Sequence, residues 1–194
     1  TSDAGPPVVL DQIRQAGVRV ALVKAQHNWA EVQEKVKVVG RETGRVADAE
    51  KLLAQLDTQW NAVQAQVAKA HRKPRVLFVL AHSGSPQVAG RGTAANALIQ
   101  YAGCVNAIDQ FDGYKPLTAE AMASAAPEVI INTTQGIEAL GGEQAFWKRP
   151  ELALTPAFAK KALVTLEASH LLGFGPRLPT AVQALHMRSL QWVA

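Results

Sequence analysis

One uninterrupted helical stretch limits what this chain can fold into. The segment DAEKLLAQLDTQWNAVQAQVAKAHRK begins at Asp48, contains neither glycine nor proline, and is followed by Pro74. Apolar side chains recur along it mostly at intervals of three and four residues, and they are Leu52, Leu53, Leu56, Trp60, Val63 and Val67. The pattern predicts a helix of about 24 residues and ~36 Å. Because this is too long for a crossover inside a compact α/β unit, we predict that the helix bridges two lobes.

The sequence after Pro74 alternates between apolar runs typical of buried strands and amphipathic runs typical of helices. The strand-like runs are RVLFVL (Arg75–Leu80), EVIINTT and ALVTLE, with CVNAI as a shorter candidate. Helices are predicted for Gly92–Ala102, for PLTAEAMASAAP with Thr118 as its N-cap, for part of Gln135–Trp147, and from Pro179 towards Trp192. Continuous apolar strands separated by helices indicate a mainly parallel sheet flanked by helices on both faces.

The sequence before the long helix predicts a smaller α/β unit. Pro6 and Pro7 favour a helix start, and Gly17 ends that helix. The run VRVALV, Val18–Val23, is typical of a short buried strand. A second amphipathic helix is predicted over about Trp29–Glu42, and Gly44 ends it.

Composition and charge exclude several classes of function. Apolar residues make up 48% and charged residues 19% of the chain, a balance typical of a globular protein with a sizeable core. The net charge of +4 is scattered, and the cluster His71-Arg72-Lys73 is too short for a nucleic-acid surface, so we predict no nucleic-acid partner. The single cysteine, Cys104, allows no disulfide within the chain and is interpreted as a small core residue.

The segment from Arg75 to Ile99 contains the histidine with the clearest functional context. His82 stands where a predicted strand ends, and the loop SGSPQVAGRGTAAN follows closely. The loop matches neither GxxxxGK[ST] nor GxGxxG, which disfavours a nucleotide site, but ligands of open α/β sheets do bind at the carboxyl ends of strands. A hydrogen-bonded loop histidine, a ligand contact, and a general base beside Asp109 or Asp112 remain alternative interpretations of His82.

Other chemistry-bearing residues have structural as well as functional interpretations. No two of the five histidines (His27, His71, His82, His170 and His186) have the spacing of a local zinc site on a helix, and no GxSxG motif is present. Glu120 falls in the first turn of a predicted helix, where it would interact favourably with the helix dipole or meet a partner's arginine. Arg177, in the turn before the last helix, would cap or pair structurally.

Three motifs together resemble one protein family. They are VLFVLAHSGSPQVAGRGTAANALIQYAG, GYKPLTAEAMASAAPEVIINT and LLGFGPRLPTAVQAL. These segments are similar to the C-terminal half of the periplasmic haem-binding proteins that deliver haem to bacterial ABC transporters. The opening SDAGPPVVLDQIRQAGVRV resembles the end of that family's N-terminal lobe, and the long helix resembles the helix that joins the two lobes. The resemblance covers nearly all 194 residues and implies a periplasmic binding protein rather than an enzyme.

The resemblance also implies how the chain is divided. Residues 1–46 would be the remainder of an incomplete N-terminal α/β lobe, 47–73 the lobe-joining helix, and 74–194 the C-terminal lobe. The family's N-terminal lobe would begin with roughly 70–90 further residues, which usually carry the tyrosine that binds haem iron. Neither Tyr101 nor Tyr114 lies in that motif. We therefore expect an N-terminally truncated chain that binds haem weakly or not at all. Its exposed apolar faces and strand edges would favour a homodimer, with exchange of elements around the long helix.

Individual residues acquire roles through the same resemblance. His82 matches the position from which some family members supply a second iron ligand, and a neutral imidazole suits haem iron. Arg91, Lys148 and Arg149 are the implied partners of the haem propionates. Glu120 matches a glutamate that docks on an arginine of the ABC permease.

Two alternatives to haem transport remain open. Within the same class, the chain would bind cobalamin or a ferric siderophore, ligands that need no axial histidine. From another class, it would be an α/β enzyme that uses His82 as a general base.

Overall fold

The computed structural model describes residues 1–2, 5–81 and 86–193. Its helices are α1 Pro7–Gln15, α2 Trp29–Glu42, α3 Val46–Ala68, α4 Ala94–Tyr101, α5 Ala119–Ala125, α6 Thr134–Ala139, α7 Glu143–Trp147, α8 Pro156–Lys160, α9 Ala168–Leu172 and α10 Leu178–Val193. Its strands are β1 Arg75–Leu80, β2 Gln87–Ala89, β3 Val105–Asn106, β4 Tyr114–Pro116, β5 Val129–Thr133 and β6 Leu163–Leu166. No helix within the described ranges has the length and hydropathy needed to cross a membrane.

The strands of the described residues form one mixed sheet with a parallel centre. Its path runs β4-β2-β1-β5-β6, and β3 also pairs with β1. The strands β1, β3, β5 and β6 are parallel, with Val76 opposite Val129 and Ile131 opposite Val164. Every residue of β5 is buried, as are the four central residues of β1, which is expected for strands covered on both faces. The predicted α/β class and mainly parallel sheet are therefore confirmed.

Two short strands lie where the sequence predicts irregular structure. β2 pairs antiparallel with β1, placing Gln87 opposite Leu80, and β4 pairs antiparallel with β2. Each has only three residues, too few for an alternation of apolar and polar residues to be recognised in the sequence. β2 leads directly into the sequence AGRGT before α4, so the sheet itself fixes the start of that loop.

The long helix α3 contacts two separate groups of apolar side chains. Its first half packs Leu53 and Leu56 against Val36 of α2. Its second half contributes Trp60 to the main core and packs against α10. The helix begins two residues before its predicted start, and the prediction that it bridges two lobes stays a prediction. The exact limits of the three predicted segments stay a prediction.

The predicted strand Val18–Val23 is wrong. This segment is not part of the sheet, and Val18 and Leu22 are 55% and 42% exposed. A β-strand completes its backbone hydrogen bonds only beside another strand, and the described residues place no strand next to this segment. The amide of Ser2 does donate to the carbonyl of Val23 at 2.9 Å. The N-terminal part of the described chain is therefore helical and extended rather than an α/β unit.

Candidate functional site

The parallel strands end at one edge of the sheet, where two of them lead into capped helices. After β5, the hydroxyl of Thr133 accepts a hydrogen bond from the amide of Gly136 at 2.9 Å. After β6, the Glu167 carboxylate accepts from the amides of Ser169 and His170 at 3.0 and 3.1 Å. The hydroxyl and amide of Ser169, with the amide of His170, lower the pKa of Glu167 to about 2. Ligands of open α/β sheets bind at this carboxyl edge.

Gly136 lets the backbone segments at this edge pack closely. A Cβ at this position would stand 2.8 Å from the Thr133 hydroxyl and 3.0 Å from the carbonyl oxygen of Ala81, and closer still to the side-chain oxygen of Asn132. Ala81 is the last described residue after β1. His82, the predicted iron ligand, follows it and lies outside the described residues, which resume at Pro86.

Replacing Gly136 with alanine is expected to lower the free energy of unfolding by about 1–3 kcal/mol, because the added methyl overpacks a site bordered by backbone. Urea denaturation followed by circular dichroism measures the change. Gly175→Ala is the matched control, since a Cβ there would meet no atom within 4 Å. Equal stabilities for the two variants would contradict the close packing of this edge.

The AGRGT loop holds Arg91 at the surface by backbone contacts. The amide of Arg91 donates to the carbonyl of Phe111 at 2.8 Å, and the amide of Gly113 donates to the carbonyl of Arg91 at 2.9 Å. The Arg91 guanidinium donates to Asp112 at 3.0 Å, and both side chains are more than half exposed. An exposed ion pair contributes at most about 1 kcal/mol. Arg91 can therefore exchange Asp112 for another carboxylate at little cost.

A cleft of about 520 Å³ lies between residues 25–28 and helix α4. One wall is formed by residues of α4 and the two residues that precede its N-terminal turn. One row of this wall is Gly92, Asn96 and Gln100, and the other row is Thr93, Ala97 and Tyr101. This wall includes hydroxyl and amide side chains, and Gly92 is the neighbour of Arg91. The volume falls in the range of about 300–1,000 Å³ that small-molecule and cofactor sites occupy.

Glu31 holds the opposite wall of the cleft in place. It is 3% exposed, and its carboxylate accepts hydrogen bonds from the amides of Gln26 and His27, each at 2.7 Å. Its other oxygen lies 2.6 Å from the ammonium of Lys35. Burial raises the pKa of Glu31. The hydrogen bonds from Lys35, Gln26 and His27 together lower this pKa by more than burial raises it, so it lies below its ordinary value.

Lys35 extends this contact to the LLGFGPR motif. Its ammonium donates to the carbonyls of Gly173 and Phe174 at 3.1 and 2.9 Å. The Phe174 ring in turn packs edge-on against the His27 ring, with centroids 5.4 Å apart. One buried carboxylate therefore fixes the cleft wall and joins it to the loop before α10.

The other predicted site residues lie apart from this cleft. Lys148 is exposed and shares a groove with Trp147 and Lys161. Since Lys161 comes just before β6, this groove is at the amino edge of the sheet, opposite the carboxyl edge. Arg149 follows Lys148 and donates to Glu151 at 2.8 Å. The structure does not bring Lys148 or Arg149 together with Arg91.

Glu120 is exposed in the first turn of α5. Thr118 caps that helix as predicted, because its hydroxyl accepts from the amide of Ala121 at 3.1 Å. Arg177 has the structural pairing expected for it, since its guanidinium donates to the Ser169 hydroxyl at 2.5 Å. Cys104 is buried, and burial raises its pKa to about 11, as suits a core thiol.

The sequence interpretation did not single out His27, which lines the cleft. No local signal in the sequence indicated it, because the segment before it, Val18–Val23, is not a strand. Among the described residues, no group of three or more histidine, cysteine, aspartate or glutamate side chains is arranged to hold a bare metal ion. A haem iron, by contrast, requires only one or two axial side chains.

Comparison with known proteins places this fold in a family. The profile of the periplasmic binding protein family matches residues 2–169. The periplasmic haem-binding protein BhuT, in complex with two haems, is 42% identical to this chain and superposes with a TM-score of 0.91. The match covers 98% of this chain and 73% of the BhuT chain. The periplasmic haem-binding protein RhuT from Roseiflexus sp. RS-1, in its apo form, is 34% identical and superposes with a TM-score of 0.92. That match covers 98% of this chain and 74% of the RhuT chain.

A curated relative binds a different ligand. The cobalamin-binding protein of Halobacterium salinarum is 27% identical over 173 residues, which cover 86% of this chain and 46% of that protein. The chain spans about half the length of the curated relatives it matches. Because the family match extends over most of the sequence, the chain belongs to the periplasmic binding protein family.

Proposed function

We propose that this chain is the haem-binding component of a bacterial ABC importer and that it holds haem at the cleft beside α4. The observation that carries the proposal is the 42% identity, over 98% of this chain, to a protein whose structure contains two haems. The relatives named above are binding proteins, which favours capture and delivery of a ligand over the alternative of an α/β enzyme.

Arg91 is the propionate partner that the geometry supports best. It directly precedes Gly92, which lines the cleft, and its weak, exposed ion pair with Asp112 can be replaced by the carboxylate of a haem propionate. We propose His82 as an iron ligand. Lys148 and Arg149 stay predictions from the family resemblance, since neither of them lines the cleft.

The delivery step would take place outside the cytoplasm, at the permease. We propose a periplasmic location and a docking contact between the exposed Glu120 and an arginine of the ABC permease. Glu120 supports this role because it is on the surface of a helix whose own cap is already provided by Thr118. The homodimer stays a prediction.

Titration of the chain with haemin, followed at the Soret band, tests the proposal. We expect saturable binding with a Kd on the order of micromolar. His82→Ala is expected to raise the Kd about tenfold, because an iron ligand is lost. His71→Ala is the control, since His71 is exposed and does not line the cleft.

Cobalamin provides the competing outcome. A relative at 27% identity binds it, so the same titration is repeated with cobalamin in place of haemin. Saturable binding of cobalamin without any Soret change on addition of haemin would overturn the haem assignment and favour the cobalamin alternative.

A further inference from the structure

The amino edge of the sheet carries most of the positive charge of the protein. Residues 69–75 lead into β1, and residues 148–161 end just before β6. Together these two segments, called the basic edge below, contain eight lysines and arginines and one glutamate. Because the net charge of the whole chain is only +4, the remaining residues are net negative. The fold therefore concentrates at one edge basic residues that are far apart in the sequence.

Contacts at the end of α10 bring the two segments together. The Arg72 guanidinium donates to the carbonyl of Val193 and to the Glu128 carboxylate at 2.7 Å. The Lys160 ammonium donates to the carbonyl of Trp192, the preceding residue of the same helix, at 3.0 Å. Since two consecutive carbonyls bind one cation from each segment, the segments are neighbours on one surface.

Four exposed lysines of the basic edge have no carboxylate partner within the described part of the chain. They are Lys69, Lys73, Lys148 and Lys161. The nearby glutamates are already engaged, because Glu128 pairs with an arginine at 2.7 Å and Glu151 pairs with another at 2.8 Å. Glu143 accepts a hydrogen bond from an indole at 3.1 Å. The four ammonium groups are therefore available to anionic groups outside the chain.

An exposed leucine lies in the second segment of the basic edge. Leu154 is 78% exposed, more than any other large apolar side chain of the described residues. The next residue, Thr155, caps α8 by accepting from the amide of Phe158 at 3.1 Å, so the turn that carries the leucine is fixed. Lysines together with an exposed apolar side chain are typical of surfaces that contact anionic lipid, where the apolar group enters the headgroup layer.

We propose that the basic edge binds the anionic surface of a phospholipid membrane, with its lysines at the lipid phosphates and Leu154 in the headgroup layer. The inference is separate from haem binding and takes from the proposed function only that the chain works beside a membrane. A lysine ammonium is a compact point charge, which pairs with phosphates without a fixed geometry. Each lysine near an anionic surface strengthens binding about fivefold, so four together contribute roughly several hundredfold.

Co-sedimentation with phospholipid vesicles tests this surface. We expect the chain to bind vesicles of equal parts phosphatidylglycerol and phosphatidylcholine but not vesicles of phosphatidylcholine alone, because only the former are anionic. Lys73→Gln combined with Lys161→Gln, one from each segment, is expected to weaken binding at least about tenfold. Lys37→Gln combined with Lys51→Gln is the matched control, since these exposed lysines of α2 and α3 carry the same charge elsewhere.

Two further measurements separate the apolar contact from the charges. Leu154→Ser keeps every charge and is expected to weaken vesicle binding several-fold, because the apolar side chain no longer enters the headgroup layer. Added salt is expected to weaken the binding of the unmodified chain, because salt screens exposed charges.

The outcomes also separate this inference from the proposed function. Equal losses in the two double variants would overturn the assignment to the basic edge, since net charge alone would then explain the binding. Tighter binding to a duplex DNA fragment than to the anionic vesicles in the same salt would overturn the membrane as the partner. The haemin titration is independent of both results, so failure to bind vesicles with an unchanged Soret titration overturns this proposal and leaves haem binding in place.

Discussion

Replacing Glu31 with alanine is expected to lower the free energy of unfolding by about 3–5 kcal/mol, because breaking a buried ion pair leaves its partner charge uncompensated. The Lys35 ammonium would lose the carboxylate at 2.6 Å, and the amides of Gln26 and His27 would lose their acceptor. Buried unsatisfied donors each add to the cost. Urea denaturation at pH 7 measures the change.

Glu34 on the same helix provides the matched control. It pairs with Arg41 at 3.1 Å, but these side chains are 46% and 56% exposed. An exposed pair contributes about 0–1 kcal/mol, so Glu34→Ala is expected to change stability by less than about 1 kcal/mol. Similar losses for the two variants would show that the Glu31 contacts do not hold the cleft wall.

The pH dependence of the Glu31 contribution has a definite sign. The pKa of this carboxyl is lowered in the folded chain from an ordinary value of 4.5, so the folded state favours the ionised form. The contribution is therefore fully present above pH 4.5 and is lost as the pH falls through the lower, folded-state pKa. The stability difference between the unmodified chain and Glu31→Gln should be constant from pH 8 to about pH 6 and shrink below pH 4.5.

Local sequence patterns predicted the longer helices because their signals are local, whereas the five-residue helices α8 and α9 were not predicted. α2 has the predicted bounds, Trp29–Glu42, since the amphipathic run and the left-handed Gly44 that follows it are both visible in the sequence. The N-cap of α5 at Thr118 is correct for the same reason. The strand predicted for Val18–Val23 is wrong because a strand depends on a neighbour, which its own residues cannot reveal.

The cleft could not be assembled from the sequence because its contacts join distant residues. Glu31 occupies an ordinary polar position of an amphipathic helix, and nothing near it in sequence indicates burial. Its pairing with Lys35 matters because that ammonium also reaches Phe174, 139 residues further along the chain. The role of His82 at a strand end stays a prediction, because that residue lies outside the described residues.

Replacing Trp60 with alanine is expected to cost about 3–5 kcal/mol, the range for removal of a large buried aromatic side chain. The residue is 9% exposed, and its ring stacks on Trp29 with centroids 4.7 Å apart and meets the Tyr101 ring edge-on at 4.9 Å. These rings join α2, α3 and α4 in one contact. Removal of the Trp60 ring should therefore weaken the attachment of the N-terminal helices to the rest of the fold. Thermal and urea denaturation measure the resulting decrease in the free energy of unfolding.

Trp60→Phe tests whether any aromatic ring at this position stabilises the fold or whether the indole itself is required. Phenylalanine keeps an aromatic ring between Trp29 and Tyr101, so we expect it to recover more than half of the stability lost in the alanine variant. The near-ultraviolet circular dichroism of the stacked indoles should disappear in both variants, because each lacks one indole. If alanine cost less than about 1 kcal/mol, α2 would be attached to the rest of the fold mainly through Lys35 and its carbonyl contacts. Glu31→Ala would then be expected to release α2 entirely, so the two substitutions together establish which contact fixes the wall that carries His27.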